Sequence, residues 1–244
     1  MVVCKFGGTS LADASQIKKV AAILASDTRR SAVVVSAPGK RTKTDMKITD
    51  LLYACEASAA RSQPFDKQFA EIRERYLGIV RELGLDPAFI FGQLDEVESL
   101  IAAGSGPDYA ASRGEYLSAL IVAAFLGWTF IDAAEVVVLE EDGTIAEQTY
   151  ANVAAATSPE GRYVFPGFYG KTRLGKVKTF SRGGSDITGS IVARGMHAEL
   201  YENWTDVSGV FMADPRIIAD AKVIDTMTYR EVRELAAVGF NVFH

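Results

Sequence analysis

The chain has 244 residues, 26 of them Lys or Arg and 31 Asp or Glu, and its formal net charge is −5. A hydrophobic fraction of 48% and a charged fraction of 23% are typical of globular domains and exclude wholesale disorder or a collagen-like chain. The acidic balance argues against a general nucleic-acid-binding protein, so we expect no nucleic-acid partner.

The cysteines and the N-terminal segment indicate a reducing compartment. Cys4 and Cys55 lie in apolar stretches and form no Cys-x-x-Cys pair, so we expect reduced structural thiols. No signal sequence is visible, and no apolar run reaches the roughly 18 residues of a membrane span. We therefore expect a soluble, cytoplasmic protein with no membrane partner, and two histidines are too few for a His-based metal site.

The first elements alternate between strand and helix. Val2–Phe6 is a predicted strand, Gly7-Gly8-Thr9 turns the chain, and the pattern from Ser10 to Asp13 resembles a capping box that opens a helix. Ser31–Ser36 is an apolar run without polar alternation, as in strands buried on both faces of a parallel sheet. Together these segments predict a βαβ unit.

A helical hairpin is predicted at about 65–103. It follows a basic loop, Pro38–Lys47, and a helix predicted from about Ile48 to Ala60. Its apolar residues alternate at spacings of four and three, which places one stripe on each arm. The stripe residues are Phe65, Phe69, Ile72, Tyr76, Ile79 and Leu83, then Ile90, Leu94, Val97 and Ile101. Packing on its own domain is the favoured interpretation, but a subunit interface, and with it a homo-oligomer, stays open.

The rest of the chain continues the alternation. A second capping box, from Ser112 to Glu115, predicts a helix to about Leu126. Strands are predicted at 129–132, 135–139, 163–166, 176–180, 199–204 and 210–212, and helices at 186–194 and 229–238. We therefore predict one α/β domain over residues 1–244, a three-layer αβα sandwich with a mostly parallel central sheet.

Two glycine turns point to phosphate binding. Lys5 is the only charge in the first strand, and Gly7-Gly8-Thr9 follows it at the edge where α/β sheets bind ligands. Arg182-Gly183-Gly184-Ser185-Asp186 joins another strand to a helix, with Ser185 as the expected N-cap. Backbone N–H groups of such turns cradle anions at helix N-termini. A plain turn explains either pair alone, whereas two turns, each preceded by a cation, can face one polyphosphate from both sides.

Two further clusters have a functional and a structural explanation. Thr205 and Asp206 follow a predicted strand and can bind a ribose or adenine edge, with Arg216 reaching phosphate. A capped turn explains Asp206 equally well, and the capping box alone explains Glu115. The standard P-loop pattern fails at Gly167–Thr172, because its first glycine is missing.

Four motifs follow one another in the order found in a known family. They are Lys5-Phe6-Gly7-Gly8-Thr9-Ser10, Arg113-Gly114-Glu115, Arg182-Gly183-Gly184-Ser185-Asp186 and Trp204-Thr205-Asp206-Val207, with Asp214-Pro215-Arg216 after them. Through them the chain resembles, along its whole length, the catalytic domain of the aspartokinases in the amino-acid kinase superfamily. The resemblance implies ATP-dependent phosphorylation of the β-carboxylate of L-aspartate to 4-phospho-L-aspartate, the first step towards lysine, threonine and methionine.

The resemblance also implies a role for each site residue, with ATP and Mg²⁺ as cofactors and no protein metal cage. Lys5 and Asp186 are the expected catalytic residues, one neutralising the transferred phosphoryl group and the other beside the Mg²⁺ hydration shell. The expected substrate-binding residues are Ser36 and Thr49 for the reacting carboxylate, Glu115 for the α-amino group, Arg182 for the α-carboxylate, and Gly167 and Phe168. The expected nucleotide-binding residues are Gly7, Gly8, Thr9, Gly183, Gly184, Ser185, Thr205, Asp206 and Arg216.

The resemblance further implies a kinase domain that is incomplete at its C-terminus, without the regulatory ACT domains and without feedback inhibition. Asp50, Phe211 and Asn241 stand where many members have Asn, Tyr and Lys. Two alternatives remain open. One is a kinase of the same fold for another carboxylate, and the other is a non-catalytic nucleotide- or amino-acid-binding fragment.

Overall fold

The computed structural model of the protein describes residues 1–181, 183–205, 209, 218, 220 and 222–237. These residues belong to two compact units, Met1–Trp204 and Thr205–His244. The described strands of the first unit are β1 (Val2–Phe6), β2 (Arg30–Val35), β3 (Thr129–Phe130), β4 (Val138–Leu139), β5 (Tyr163–Pro166), β6 (Tyr169–Thr172), β7 (Val177–Thr179) and β8 (Leu200–Trp204). Its described helices are α1 (Ala14–Ala25), α2 (Ile48–Ala59), α3 (Asp66–Glu82), α4 (Ala88–Ala102), α5 (Pro107–Leu126), α6 (Ala133–Val136), α7 (Gln148–Ala156) and α8 (Gly184–Gly195). The second unit contains α9 (Tyr229–Ala237), and the strand predicted at 210–212 lies outside the described residues.

Five strands form one all-parallel sheet in the order β3-β5-β2-β1-β8. Every residue of β1 is buried, and so is every residue of β2 after Arg30. Alternate side chains enter opposite faces of the sheet, since Cys4 and Phe6 belong to one hydrophobic core and Val3 to another. Burial on both faces is what the uninterrupted apolar runs predicted.

Helices cover both faces of this sheet. Helices α1 to α5 contribute side chains to the core around Cys4 and Phe6, and α6, α7 and α8 contribute to the core around Val3. The predicted three-layer αβα sandwich is therefore confirmed. A smaller sheet in the order β4-β6-β7 has one parallel and one antiparallel strand pair.

The helical hairpin consists of α3 and α4. Its stripe residues are all buried in the same core as the apolar side chains of α1, α2 and α5. The hairpin therefore packs on its own domain, as the favoured interpretation proposed. Its position beside α2 and α5 also brings it close to the loop that follows β2.

The strand predicted at 135–139 is wrong over most of its length. Asp132 accepts a hydrogen bond from the backbone N–H of Ala134 at 2.9 Å and caps the short helix α6. Only Val138 and Leu139 remain extended, as β4. Apolar periodicity over five residues does not distinguish a helical turn from a strand. Here the Asp132 cap favours the helical turn. Strand β6 and helix α7 were not predicted at all.

Both predicted capping boxes are wrong, as is the predicted N-cap Ser185. Asp13 caps α1 through the N–H of Gln16 at 2.9 Å, after a 3₁₀ turn, Gly8–Leu11. Helix α5 begins at Pro107, so Ser112 and Glu115 lie inside it. Gly183, with φ +57°, takes the cap position of α8 that Ser185 was expected to hold. Helix α5 therefore begins with a proline in its first turn, and α8 begins after a left-handed glycine; neither uses a serine hydroxyl as its cap.

Candidate active site

Site residues predicted from the sequence follow the ends of three neighbouring strands, at one edge of the sheet. Phe6 pairs with Val35, and Val35 pairs with Pro166. The residues that follow these positions are Gly7, Ser36 and Gly167, all of which the sequence placed in a site. They lie together because parallel strands end at the same edge, where open α/β sheets bind ligands.

Lys5 and Asp186 form a buried ion pair. The Lys5 Nζ lies 2.8 Å from Asp186 Oδ1, and the two side chains are 7% and 10% exposed. Asp186 is in the first turn of α8, where the helix dipole favours an anion. A Cβ added at Gly7 would lie 3.8 Å from the Lys5 Nζ, so the glycine turn passes close to the ammonium. Among the described residues, the site thus presents the Lys5 ammonium, backed by the Asp186 carboxylate, next to the backbone of the glycine turn.

Ser36, Ser185 and Gly167 meet at the start of α8. The Ser36 hydroxyl donates to the Ser185 Oγ at 2.9 Å. A Cβ added at Gly167 would lie 2.6 Å from the Ser185 Oγ and 2.8 Å from its Cα. Only a residue without a side chain permits this approach, so Gly167 sets the distance between β5 and the helix N-terminus.

Phe168 adopts a left-handed backbone conformation, with φ +81°. Its N–H donates to the Thr188 Oγ1 at 3.0 Å, and its carbonyl accepts from the N–H of Phe180 at 2.9 Å. A Cβ added at Gly184 would lie 2.8 Å from the Phe168 Cα. The strained residue and the glycine turn therefore hold each other in place. Sequence reasoning missed Thr188, because a threonine inside a helix carries no distinctive signal.

Glu115 is buried, and the capping explanation for it is wrong. Its Oε1 accepts the N–H of Ala37 at 3.1 Å. Its Oε2 is buried and has no hydrogen-bond partner in the part of the chain that the structure describes. Burial raises the pKa of this carboxyl to about 8. An unpartnered, buried oxygen on a carboxyl group that the Ala37 N–H holds suits a ligand that brings its own cation.

Gly39 was missed by sequence reasoning, although the Pro38-Gly39 pair is a turn signal. Its N–H donates to the Gly8 carbonyl at 2.8 Å. A Cβ added at Gly39 would lie 2.6 Å from the Gly8 carbonyl carbon, and one added at Gly8 would lie 2.9 Å from the Ala37 carbonyl oxygen. The loop after β2 and the glycine turn after β1 therefore touch backbone to backbone.

The remaining predicted site residues lie in three places. Thr49 is partly buried in the first turn of α2, and Thr9 is exposed in the 3₁₀ turn. Thr205 is exposed and belongs to the second unit. Arg182, Asp206 and Arg216 lie outside the described residues, as do Phe211 and Asn241.

Neither a metal cage nor a membrane span occurs in the described ranges. No group of three or more His, Cys, Asp or Glu side chains among them is arranged to hold a metal ion. Among the same residues, no helix has both the length and the apolar character needed to cross a bilayer.

Residues 1–244 match the model of the amino acid kinase family, and the chain belongs to that family. Aspartokinase 3 of Bacillus subtilis is 40% identical to it over 258 residues, spanning 100% of this chain and 57% of that protein. The crystal structure of Clostridium acetobutylicum aspartate kinase superposes with a TM-score of 0.92 at 51% identity, covering 97% of this chain and 55% of that one. Escherichia coli aspartokinase III in complex with aspartate and ADP superposes with a TM-score of 0.85 at 29% identity, covering 100% and 57%. The chain spans a little over half the length of these relatives.

Proposed function

We propose that the chain is the catalytic domain of an aspartate kinase, which transfers the γ-phosphoryl group of ATP to the β-carboxylate of L-aspartate. The observation that carries the proposal is the placement, at one edge of the sheet, of two complementary binding groups. Lys5 offers a cation to a phosphate, and Glu115 offers a buried, unpartnered carboxyl oxygen to an ammonium. Family membership and the likeness to aspartate kinases support it.

On the substrate side, Glu115 binds the α-amino group of aspartate through its Oε2. Its other oxygen is held by the Ala37 N–H, so the carboxyl group is already oriented before substrate arrives. Ser36, the neighbour of Ala37, and Thr49 hold the reacting carboxylate, Arg182 binds the α-carboxylate, and Gly167 and Phe168 line this side. Fixing both ends of the amino acid limits the reaction to one carboxylate.

On the nucleotide side, the N–H groups of Gly7, Gly8 and Thr9 face the phosphates from one strand, and Gly183, Gly184 and Ser185 face them from the N-terminus of α8. The resemblance to the aspartokinases assigns the rest of the nucleotide to Thr205, Asp206 and Arg216. Bound together with ATP, Mg²⁺ would supply charge neutralisation on the phosphates. The described residues fit that mode, because they contain no group of three or more potential metal ligands, and Asp186, already paired with Lys5, would contact the water shell of the ion.

The chemistry needs positioning and charge neutralisation rather than a general base. A carboxylate is ionised at neutral pH and is already a nucleophile. Lys5 stabilises the negative charge that the transferred group spreads over its oxygens.

An acyl phosphate is detected by trapping it with hydroxylamine. The full-length protein, incubated with Mg-ATP and hydroxylamine, is expected to form a hydroxamate with L-aspartate and none with L-glutamate. A hydroxamate with glutamate alone would establish the kinase for another carboxylate instead. ATP binding without any hydroxamate would establish the non-catalytic fragment.

Gly167→Ala is expected to lower kcat/KM for aspartate by about tenfold or more, because the added methyl displaces Ser185 and a small displacement at a reacting centre costs that much. Gly92→Ala is the matched control. A Cβ at Gly92, inside α4, meets nothing within 4 Å, and we expect unchanged kinetics. Equal kcat/KM values for the two variants would show that the approach of β5 to α8 is not needed for activity.

We also propose a cytoplasmic location, since Cys4 and Cys55 are buried free thiols and reduced thiols are typical of that compartment. A homo-oligomer stays a prediction.

A further inference from the structure

Arg75, on the hairpin helix α3, is a buried cation whose guanidinium group contacts the loop that follows β2. The residue is 7% exposed. One guanidinium nitrogen, Nη2, donates to the carbonyl of Gly39, and the other, Nη1, lies 3.2 Å from the Asp45 Oδ2. Both partners lie in the loop Pro38–Lys47, near its two ends. A planar guanidinium suits this task, because it holds two partners in fixed directions.

The loop side of this contact is reinforced by Arg41. Its backbone N–H and its Nε both donate to the Asp45 Oδ2 at 2.9 Å. Asp45 therefore closes the loop on itself and attaches it to Arg75 with the same carboxylate. These charged hydrogen bonds hold the pKa of Asp45 well below its usual range, so the attachment persists at neutral pH.

The contact leads directly to the phosphate side of the site. Gly39, held at its carbonyl by Arg75, donates its N–H to the Gly8 carbonyl at 2.8 Å. Gly8 follows Gly7, which lies against the Lys5 ammonium. Arg75 is thus three contacts away from Lys5, through backbone that a side chain would disrupt.

The neighbouring residue of α3 supports the substrate side in the same way. The hydroxyl of Tyr76, which is fully buried, donates to the Gly114 carbonyl at 2.7 Å. Gly114 precedes Glu115, and a Cβ there would lie 2.8 Å from the Ala37 Cβ. One turn of α3 therefore contacts both the loop after β2 and the helix that carries Glu115.

We propose that Arg75 is a positioning residue, which holds the loop Pro38–Lys47 against the Gly8 turn and so aligns Ser36 and Thr49 with the phosphate site. The expected effect of Arg75 on the kinetics rests on the proposed function, whereas its expected effect on the loop does not. It gives the hairpin a role in the reaction beyond closing the core.

Hydrogen exchange tests the structural part without reference to activity. In the full-length protein, Arg75→Met is expected to speed exchange of the hydrogen-bonded loop amides, those of Gly39, Arg41 and Asp45, about tenfold or more, while α3 and α4 keep wild-type protection. Asp45→Asn attacks the same contact from the loop side and should have the same effect, and it serves where Arg75→Met does not fold. Arg73→Met is the matched control. Arg73 lies two residues away on α3, but it pairs with Asp95 and Glu98 of α4 at 2.8 Å.

The kinetic part is expected to separate Arg75 from Arg73 as well. Arg75→Met should raise the KM for aspartate about tenfold or more, Arg75→Lys should recover part of the loss, and Arg73→Met should leave kcat and KM near wild type. Unchanged loop exchange in Arg75→Met, or equal effects in Arg75→Met and Arg73→Met, would overturn the proposal. A wild-type protein that makes no aspartyl hydroxamate contradicts the proposed function alone, since the exchange experiment still decides the role of Arg75.

Discussion

Lys5→Met is expected to abolish aspartate phosphorylation and to destabilise the full-length protein at the same time. The loss of activity follows from removing the cation that, in the proposed function, faces the transferred phosphoryl group. The loss of stability follows from the pairing with Asp186, because both side chains are almost fully buried. Removing one partner of a buried ion pair leaves an uncompensated charge and costs about 3–5 kcal/mol. The measurements are the hydroxamate assay and urea unfolding.

A second variant separates the two effects. Lys5→Met combined with Asp186→Asn removes the buried charge along with its partner, so we expect it to regain most of the lost stability. It should remain inactive, because no cation is restored. Near-normal turnover in Lys5→Met would contradict the assigned role of Lys5. A double variant no more stable than the single one would show that the pair is not energetically coupled.

Glu115→Gln is expected to stabilise the unliganded protein and to weaken aspartate binding. Burial raises the pKa of Glu115 from 4.5 to about 8, so its neutral form is favoured in the folded state. The stability that protonated Glu115 contributes to the folded state is fully present below pH 4.5 and is lost as the pH rises through about 8. A permanently neutral glutamine keeps the hydrogen bond from the Ala37 N–H and loses nothing as the pH rises. At pH 8.5 we therefore expect the variant to be a few kcal/mol more stable than the wild type, as measured by urea unfolding.

Aspartate binding should strengthen as the pH rises, whereas the stability contributed by Glu115 falls. In the proposed function the substrate ammonium pairs with the ionised carboxylate, so the wild-type KM for aspartate should fall as the pH rises from about 6.5 to 8. Glu115→Gln should raise KM about tenfold to a hundredfold through loss of a charged hydrogen bond, and its KM should lose that pH dependence. ADP release, followed in a coupled assay, measures both. Glu135→Gln, at an exposed position on α6, is the control. A variant that keeps the wild-type KM profile would contradict the assignment of Glu115 to the ammonium.

Much of the fold is legible in the sequence because burial leaves a periodic signature. The strands β1 and β2 appear as apolar runs, since helices cover both of their faces. The two arms of the hairpin appear as stripes spaced by four and three, because each arm buries one face. The glycine turns near Lys5 and Asp186 were recognisable for a similar reason, since close approach of backbone tolerates no side chain.

Local patterns failed where one short motif fits two structures. Ser112 to Glu115 has the spacing of a capping box, yet Gly106 and Pro107 begin the helix earlier and the motif lies buried inside it. The apolar residues at 135–139 suit a strand, yet the Asp132 cap folds part of them into a helical turn. In both cases the deciding residue lies outside the motif itself.

The amino-acid sequence by itself determined the layers of this protein, its hairpin and the residue types at the proposed phosphate site, because each of these depends on periodicity or on a contiguous turn. The tertiary structure alone decided that Lys5 pairs with Asp186, that one oxygen of Glu115 is left without a partner, and that Arg75 reaches Gly39. Lys5 and Asp186 are 181 positions apart, Arg75 and Gly39 are 36 apart, and Glu115 is 78 positions from Ala37, whose N–H holds its other oxygen. Only the close packing of strands, helices and the loop after β2 brings such groups within hydrogen-bonding distance and removes the water that would otherwise satisfy them.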